Sequence, residues 1–165
     1  VVYLSVEPNY PPARPQLSNV KLDGALPTQF QINAEEVSHR EHSKVYFTRL
    51  DEASGKRQIF AVEPDGRLET NLVSDDSFLS ANCFNPVASF ASPVRILFVS
   101  DRDKDDHGRA NNNIYMMNAD GSQIQQLTAN GSDDILPSWS PTDPGVVYFL
   151  SNRGGAYNLW RLRLK

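Results

Sequence analysis

The chain has 165 residues, of which 39% are hydrophobic and 22% are charged, so we expect a soluble globular domain with its own core. No apolar run approaches the roughly 18 residues of a membrane-spanning helix, and a net charge of −4 with scattered basic residues excludes the basic patch that binds nucleic acids. The lone Cys83 excludes an internal disulfide and is expected to be a small, half-buried apolar residue. The absence of Met at position 1 and of a signal-like segment is typical of a mature or trimmed product.

Residues 1–34 predict an incomplete structural unit. The segment "VVYLS" is expected to be a second strand, and "NVKLDG" a shortened third strand that ends in Asp23-Gly24. Residues 7–34 hold five of the eleven prolines, which suit loops better than central strands.

After this first unit, one sequence pattern recurs at a constant offset. Apolar cores separated by 51 residues are Val45-Tyr46-Phe47, Ile96-Leu97-Phe98 and Val147-Tyr148-Phe149. Short apolar segments follow each core, namely "QIFAV", "NIYMM" and "NLWRLRL". The first two are followed by Asp-Gly and then, six residues after the Gly, by Leu72 or Leu127. The chain is therefore built from repeats.

The composition of each repeat predicts short antiparallel strands. Its segments are rich in Val, Ile, Phe and Tyr and are separated by Gly, Asp, Asn and Pro, whereas no helical periodicity is detectable. Four such strands in 40 to 50 residues fit a β-propeller blade. We therefore predict an all-β, single-domain fold of three to four blades: a partial blade at 1–34, blades at 35–84 and 85–135, and a blade at 136–165 without its outer strand.

The repeats also resemble those of a known family. "FVSDR", "FLSNRGG", "NIYMMNADGSQIQQLT" and "DDILPSWSP" look like the WD-like repeats of TolB-like β-propellers. The resemblance implies a non-enzymatic protein-interaction module, periplasmic or secreted, in the bacterial cell envelope, with a protein partner at the mouth of the central channel. Some related propellers are instead metal-assisted polysaccharide lyases or accessory domains of serine peptidases, and both alternatives stay open at this stage.

The polar turn "ANGSDDILP" supplies the candidate partner-binding residues. In the family this turn points toward the channel mouth, so the resemblance implies that Asp133, Asp134 and Ser138 lie on the surface that receives a partner. The alternative is that the two Asp side chains only cap the backbone of their own turn.

A second acidic segment, "DRDKDDHGRANNN", lengthens the hairpin between the second and third strands of its repeat. Asp101, Asp103 and Asp105 alternate like the first ligands of a calcium loop, although the tight-turn Gly and the closing Glu of that motif are missing. The sequence predicts an exposed polar hairpin, with a calcium site as the alternative.

The histidines are the candidate metal ligands if the chain is a metal-dependent lyase. A metal-dependent lyase needs several converging His and acid ligands, and the chain offers His39, His42 and His107. The first two lie in "SHREH", where a strand would place their rings on opposite faces. The Gly-x-Ser-x-Gly elbow of serine hydrolases is absent. We therefore expect no enzyme activity and no cofactor.

Strand counting predicts an open assembly. Three to four blades are too few for an ordinary closed ring of four to eight, unless residues 1–6 supply the missing outer strand of the last blade. We expect instead an arc of blades that pairs its open edges with a second copy or belongs to a longer chain.

Overall fold

A computed structural model of the chain describes residues 2–6, 15–19, 28–39 and 44–165, with side chains described in 34–39 and 44–165. The described ranges form β-strands and one short helix, which confirms the predicted all-β fold. Their bounds are β1 Val2–Val6, β2 Pro15–Asn19, β3 Thr28–Asn33, β4 Glu35–His39, β5 Val45–Asp51, β6 Lys56–Val62, β7 Thr70–Asn71, α1 Asp76–Leu79, β8 Cys83–Ala88, β9 Arg95–Lys104, β10 Ala110–Asn118, β11 Gln125–Gln126, β12 Asp134–Trp139, β13 Val146–Ser151 and β14 Asn158–Arg163.

The strands form successive antiparallel sheets of three or four strands. Their orders are β1-β2-β3, β4-β5-β6-β7, β8-β9-β10-β11 and β12-β13-β14. The inner strands lie side by side, because β1 contacts β4, β4 contacts β8 and β8 contacts β12. This is the arrangement of propeller blades around an axis, and the chain forms part of a propeller.

The apolar cores predicted from the repeat lie in the second strand of each blade and point to both faces. Tyr46 of β5 and Phe98 of β9 share one buried cluster between the second and third blades. Leu97 of β9 and Phe149 of β13 share the next cluster, between the third and fourth blades. A strand buried on both faces therefore joins the hydrophobic core on each side of its blade.

Each inner strand of the last three blades contains a bulge at the same place. The residues with positive φ there are Glu36 (49°), Asn85 (51°) and Leu136 (51°). At each one the pairing with the second strand shifts register. Pro86 and Pro137 follow two of these residues, and a bulge tolerates Pro because it leaves one N–H out of the ladder.

One expectation for the beginning of the chain is wrong. The segment β1 is at the edge of its sheet and pairs with β2, so it is not a second strand. Among the described strands β1 does not pair with β14, as the predicted open arc requires. Asn19 ends β2, and the rest of "NVKLDG" lies outside the described residues. Downstream, β8 begins at Cys83 and β12 at Asp134, before the predicted starts of their units at 85 and 136.

In the described ranges, no helix is long and apolar enough to cross a membrane. The short helix α1 begins after Asp75, whose side chain accepts a hydrogen bond from the Ser77 backbone N–H. It belongs to the connection that leads from β7 to β8.

Candidate functional site

Successive strands of a blade run in opposite directions, so two kinds of loop meet at one end of the sheets. They are the connections that enter the inner strands and the hairpins between second and third strands. In the last two blades they are the β9–β10 hairpin, the β11–β12 connection and the β13–β14 hairpin. We call this end the Asp133 face. It carries a polar cleft of about 400 Å³, lined by Asp105, Arg109, Ala110, Asn111, Gly131, Ser132, Asp133 and Asn152.

Asp133 is half-buried and lines this cleft. Its Oδ1 accepts hydrogen bonds from the backbone N–H (3.1 Å) and Nδ2 (3.0 Å) of Asn112 in the neighbouring blade. Its own backbone N–H donates to Oδ1 of Asn152 at 3.0 Å. The carboxylate therefore binds a neighbouring hairpin instead of capping its own turn.

Asp134 corrects the sequence prediction. Its exposed fraction is 0%, so it cannot touch a partner. The carboxylate accepts hydrogen bonds from Nη2 of Arg153 (3.0 and 3.1 Å) and from Nδ2 of Asn130 at 2.6 Å. The guanidinium of Arg153 also lies 4.5 Å from the centre of the Trp160 ring. Asp134 is the buried half of an ion pair that fixes the β13–β14 hairpin.

Ser138, the third predicted contact residue, is exposed but lies near the other end of β12, away from the cleft. Its Oγ donates to the carbonyl of Trp139 at 3.4 Å. The structure thus brings only Asp133 of the three predicted residues into the cleft.

The three Asp residues of the predicted calcium loop bind different protein groups. Asp101 accepts from the backbone N–H and Nδ2 of Asn82, each at 2.7 Å. Asp105 caps the hairpin turn by accepting from the backbone N–H groups of His107 (2.9 Å) and Arg109 (2.8 Å), and these bonds lower its pKa, the one from Arg109 most.

The remaining member, Asp103, accepts from the Tyr115 hydroxyl and from Nε2 of Gln126, the latter at 2.8 Å. Burial raises the pKa of Tyr115, and the Asp103 carboxylate raises it further. Within 34–39 and 44–165, no group of three His, Cys, Asp or Glu side chains could hold a metal ion. The calcium site therefore stays a hypothesis that this geometry does not support.

The histidines are not brought together where they are described. His39 ends β4 at one end of its sheet, whereas His107 is exposed in the β9–β10 hairpin on the Asp133 face. His42 lies outside the described residues. Cys83 is fully buried, whereas a half-buried position was expected, and burial raises the pKa of its thiol to about 12.

Sequence reasoning missed Tyr157, which stands in the β13–β14 hairpin with 48% of its surface exposed. Desolvation raises the pKa of its phenol, and the negative charges of Asp133 and Asp134 raise it further. An exposed aromatic ring near Asp133 is a feature of protein contact surfaces. The signal available in the sequence was an aromatic residue within a turn, where turn residues are usually small or polar.

Solved structures share this fold. A structure assigned as TolB from Agrobacterium tumefaciens superposes with a TM-score of 0.72 at 15% identity, covering 98% of this chain and 57% of that one. TolB from Acinetobacter baumannii gives 0.68 at 17% identity, with coverage of 98% and 38%. Hydrazine synthase from Kuenenia stuttgartiensis gives 0.64 at 16% identity, with coverage of 93% and 27%.

The chain therefore spans between about a quarter and three fifths of the proteins it resembles. No protein-family model matches the sequence. The structural matches identify the fold as a TolB-like β-propeller, of which this chain forms a part.

Proposed function

We propose that the chain is a non-enzymatic protein-binding module of the bacterial cell envelope and that the Asp133 face contacts its partner. The observation that carries the proposal is the polar cleft of about 400 Å³ on this face, with the exposed ring of Tyr157 near Asp133. Loops held by a rigid scaffold commonly form binding sites.

The cleft offers donors and acceptors suited to a polar protein surface. Arg109 pairs with Asp105 at 2.8 Å while 74% of its side chain stays exposed. Asn152 and Gly131 also line the cleft. An exposed ion pair at the rim of an interface governs orientation and association rate more than affinity.

Three observations support a role without catalysis. Cys83 is buried with its pKa raised, His39 and His107 lie at different ends of their blades, and the described acids do not converge on a metal position. The fold also occurs in hydrazine synthase, and a fold does not determine whether a protein is catalytic, so the expected lack of activity needs a direct assay.

Localisation and self-association belong to the same proposal. The likeness to two TolB structures supports a periplasmic or secreted location. Association between copies through open blade edges is part of the same proposal, because an unpaired strand edge can pair with the edge of a second copy.

Quantitative affinity capture from a bacterial envelope extract tests the binding surface. We expect partners held by the wild-type chain to be lost with Tyr157→Ala and with Arg109→Glu. Arg67→Glu is the matched charge control, because 82% of the Arg67 side chain is exposed in the β6–β7 turn at the other end of the sheets. Equal capture by all the variants would refute the assignment of the Asp133 face.

Enzyme assays test the other half of the proposal. We expect no turnover of peptide, ester or polyuronate substrates in the presence of manganese or calcium. Turnover that disappears in His39→Ala or His42→Ala would establish the lyase alternative instead.

A further inference from the structure

The loop that enters the inner strand is held by the same hydrogen bond at two successive blade junctions. The Arg57 backbone N–H donates to Oδ1 of Asn82 at 3.2 Å, and the Asn112 backbone N–H donates to Oδ1 of Asp133 at 3.1 Å. Asn82 and Asp133 lie 51 residues apart, which is the offset of the repeat. A neutral side chain is therefore sufficient for this contact, and the negative charge of Asp133 is not required for it.

The carboxylate occupies different positions at the two junctions. At the earlier junction Asp101 accepts from the backbone N–H and from Nδ2 of Asn82, so both carboxylate oxygens are bonded. At the later junction Asn152 stands in place of Asp101, and its Oδ1 accepts from the Asp133 N–H at 3.0 Å. The carboxylate is now that of Asp133, whose Oδ1 accepts both bonds from Asn112, and no described residue donates to its Oδ2. One oxygen of a half-buried carboxylate is thus left for a ligand.

The charge of Asp133 is not balanced within the cleft. Two carboxylates, Asp105 and Asp133, and one guanidinium, Arg109, line it, so its net charge is −1. Arg109 bonds to Oδ2 of Asp105 through both Nε and Nη2, each at 2.8 Å, and these two charges offset each other. The earlier junction has a cation of its own, Arg57, at the position equivalent to Asn112. Because a carboxylate binds cationic N–H donors more strongly than neutral ones, the cleft is suited to a cation from another molecule.

A second acceptor lines the same cleft. Asn111 is only 5% exposed, and its backbone carbonyl accepts from Nδ2 of Asn113 at 3.4 Å. No described residue forms a hydrogen bond with its side-chain amide. Buried amides are almost always hydrogen-bonded, so the side-chain oxygen of Asn111 is suited to accept a second N–H of a bound group.

We infer that the cleft binds the cationic end of a lysine or arginine side chain of the partner protein, which donates to Oδ2 of Asp133 and to the side-chain oxygen of Asn111. The inference rests on the proposed function, because it names the chemistry by which the Asp133 face recognises its partner. Charge complementarity of this kind selects partners and sets their orientation. The lining residues belong to loops at the junction of two adjacent blades and not to the edge of β14.

Two tripeptides that differ in charge test which group is recognised. They are acetyl-Gly-Arg-Gly-amide and the same peptide with citrulline, a neutral isostere of arginine. NMR titration of the intact chain, followed at the Asn111 side-chain amide and the Asn112 backbone amide, gives the dissociation constants. We expect the arginine peptide to bind about tenfold more tightly, because its hydrogen bonds are charge-assisted. Equal dissociation constants would overturn the inference.

A matched pair of variants locates the charge that matters. Asp133→Asn removes the charge and keeps an Oδ1 acceptor, as Asn82 does at the earlier junction, and it should abolish the preference for arginine. Asp106→Asn is the control, because Asp106 is exposed in the β9–β10 hairpin and is not among the residues that line the cleft. It should keep the preference. Equal losses in the two variants would show attraction by the overall charge of −4 and would overturn the inference.

Asn111→Ala tests the second acceptor. It should weaken binding of the arginine peptide about threefold. The urea midpoint should stay the same, because no described residue forms a hydrogen bond with the Asn111 side-chain amide. Unchanged peptide binding by this variant would overturn the role of Asn111.

The source of the cation is tested with the natural partner and with a free polyamine. Partners captured from the envelope extract should be lost with Asp133→Asn as well as with Tyr157→Ala. Partners lost with Tyr157→Ala but retained by Asp133→Asn would overturn the inference and leave the proposed function standing. Spermidine that binds more tightly than the arginine peptide, and only when Asp133 is present, would assign the cleft to a free polyamine instead. Asn111 shifts that grow with protein concentration alone would assign it to a second copy of the chain.

Discussion

Asp134 and Arg153 form an ion pair in which the carboxylate is fully buried while 28% of the guanidinium side chain is exposed. The position 51 residues earlier is Cys83, which is equally buried but uncharged. The third and fourth blades therefore carry chemically different residues at the equivalent core position. In the fourth blade this places a carboxylate in the core, and its hydrogen-bond partners among the described residues are Arg153 and Asn130.

Removing one partner of this pair should be costly. Arg153→Gln should lower the free energy of unfolding by about 3 kcal/mol, the low end for a broken buried pair, since Arg153 is partly exposed. The double variant Asp134→Cys/Arg153→Gln should recover part of the loss, because no charge then remains in the core. Urea denaturation measures both. As a control, Arg163→Ala, which removes the 70% exposed partner of Asp143 and leaves the Asp143 carboxylate in place, should change stability little.

The turn glycine at the junction of two blades allows a second prediction. Gly121 has φ of 86°, and a Cβ there would lie 2.5 Å from the carbonyl oxygen of Leu72 in the preceding blade. Gly121→Ala should therefore destabilise the chain more than Gly55→Ala, where φ is 66° but no atom lies within 4 Å. The control should lose about 1 kcal/mol from the left-handed backbone alone. Equal thermal shifts for the two variants would show that the contact between the blades is not tight.

Acid should weaken the fold through the carboxylates that cap turns. The pKa of Asp75 is lowered from 3.8 by hydrogen bonds from Ser77, the one from its side chain first. Because the pKa is lowered in the folded state, the stabilisation that the ionised Asp75 gives is fully present above pH 3.8. It is lost as the pH falls through the folded-state pKa. Urea midpoints measured between about pH 5 and about pH 2 should fall less steeply for Asp75→Asn than for wild type. Parallel curves would contradict this.

Cys83 should be inert in the native chain. It is 0% exposed, and burial raises the pKa of its thiol to about 12, so little thiolate is present at neutral pH. We expect no labelling by iodoacetamide in native buffer and complete labelling in urea. Rapid native labelling would reveal an opening of the contact between the second and third blades.

Calcium should not stabilise the chain. Asp101, Asp103 and Asp105 already accept hydrogen bonds from separate protein groups. A bound ion at a hundredfold excess over its dissociation constant would add about 2.7 kcal/mol. Differential scanning calorimetry should show the same melting temperature with millimolar calcium or with a chelator. A rise of several degrees that is lost in Asp103→Ala would restore the calcium hypothesis.

The repeat offset was enough to predict the strands that carry the core, because strand type follows from local composition. The same offset predicts that Asp134 is buried, because it falls 51 residues after Cys83, an apolar residue. The calcium-like spacing does not by itself bring the three carboxylates together, because β9 continues to Lys104, so Asp101 and Asp103 are strand residues and Asp105 lies in the turn.

Two further features could not be read from sequence. The cleft depends on the distance between hairpins of neighbouring blades, which local patterns do not encode. The edge position of β1 follows from pairing with β2, and a short apolar run does not specify which neighbour it pairs with.

The bulges of the inner strands have a consequence for the order of the blades. At one junction Glu36 accepts hydrogen bonds from the backbone N–H (2.8 Å) and Nδ2 (2.7 Å) of Asn85. At the next junction Nε1 of Trp139 donates to the carbonyl of Val87 at 2.9 Å, and the third bulge position holds Leu136. A chain with its blades exchanged would place Leu136 beside Glu36 or Asn85 and leave polar groups without partners. The different contacts at each junction thus specify which blade packs against which, and they disfavour misfolded states in which similar blades assemble in the wrong order.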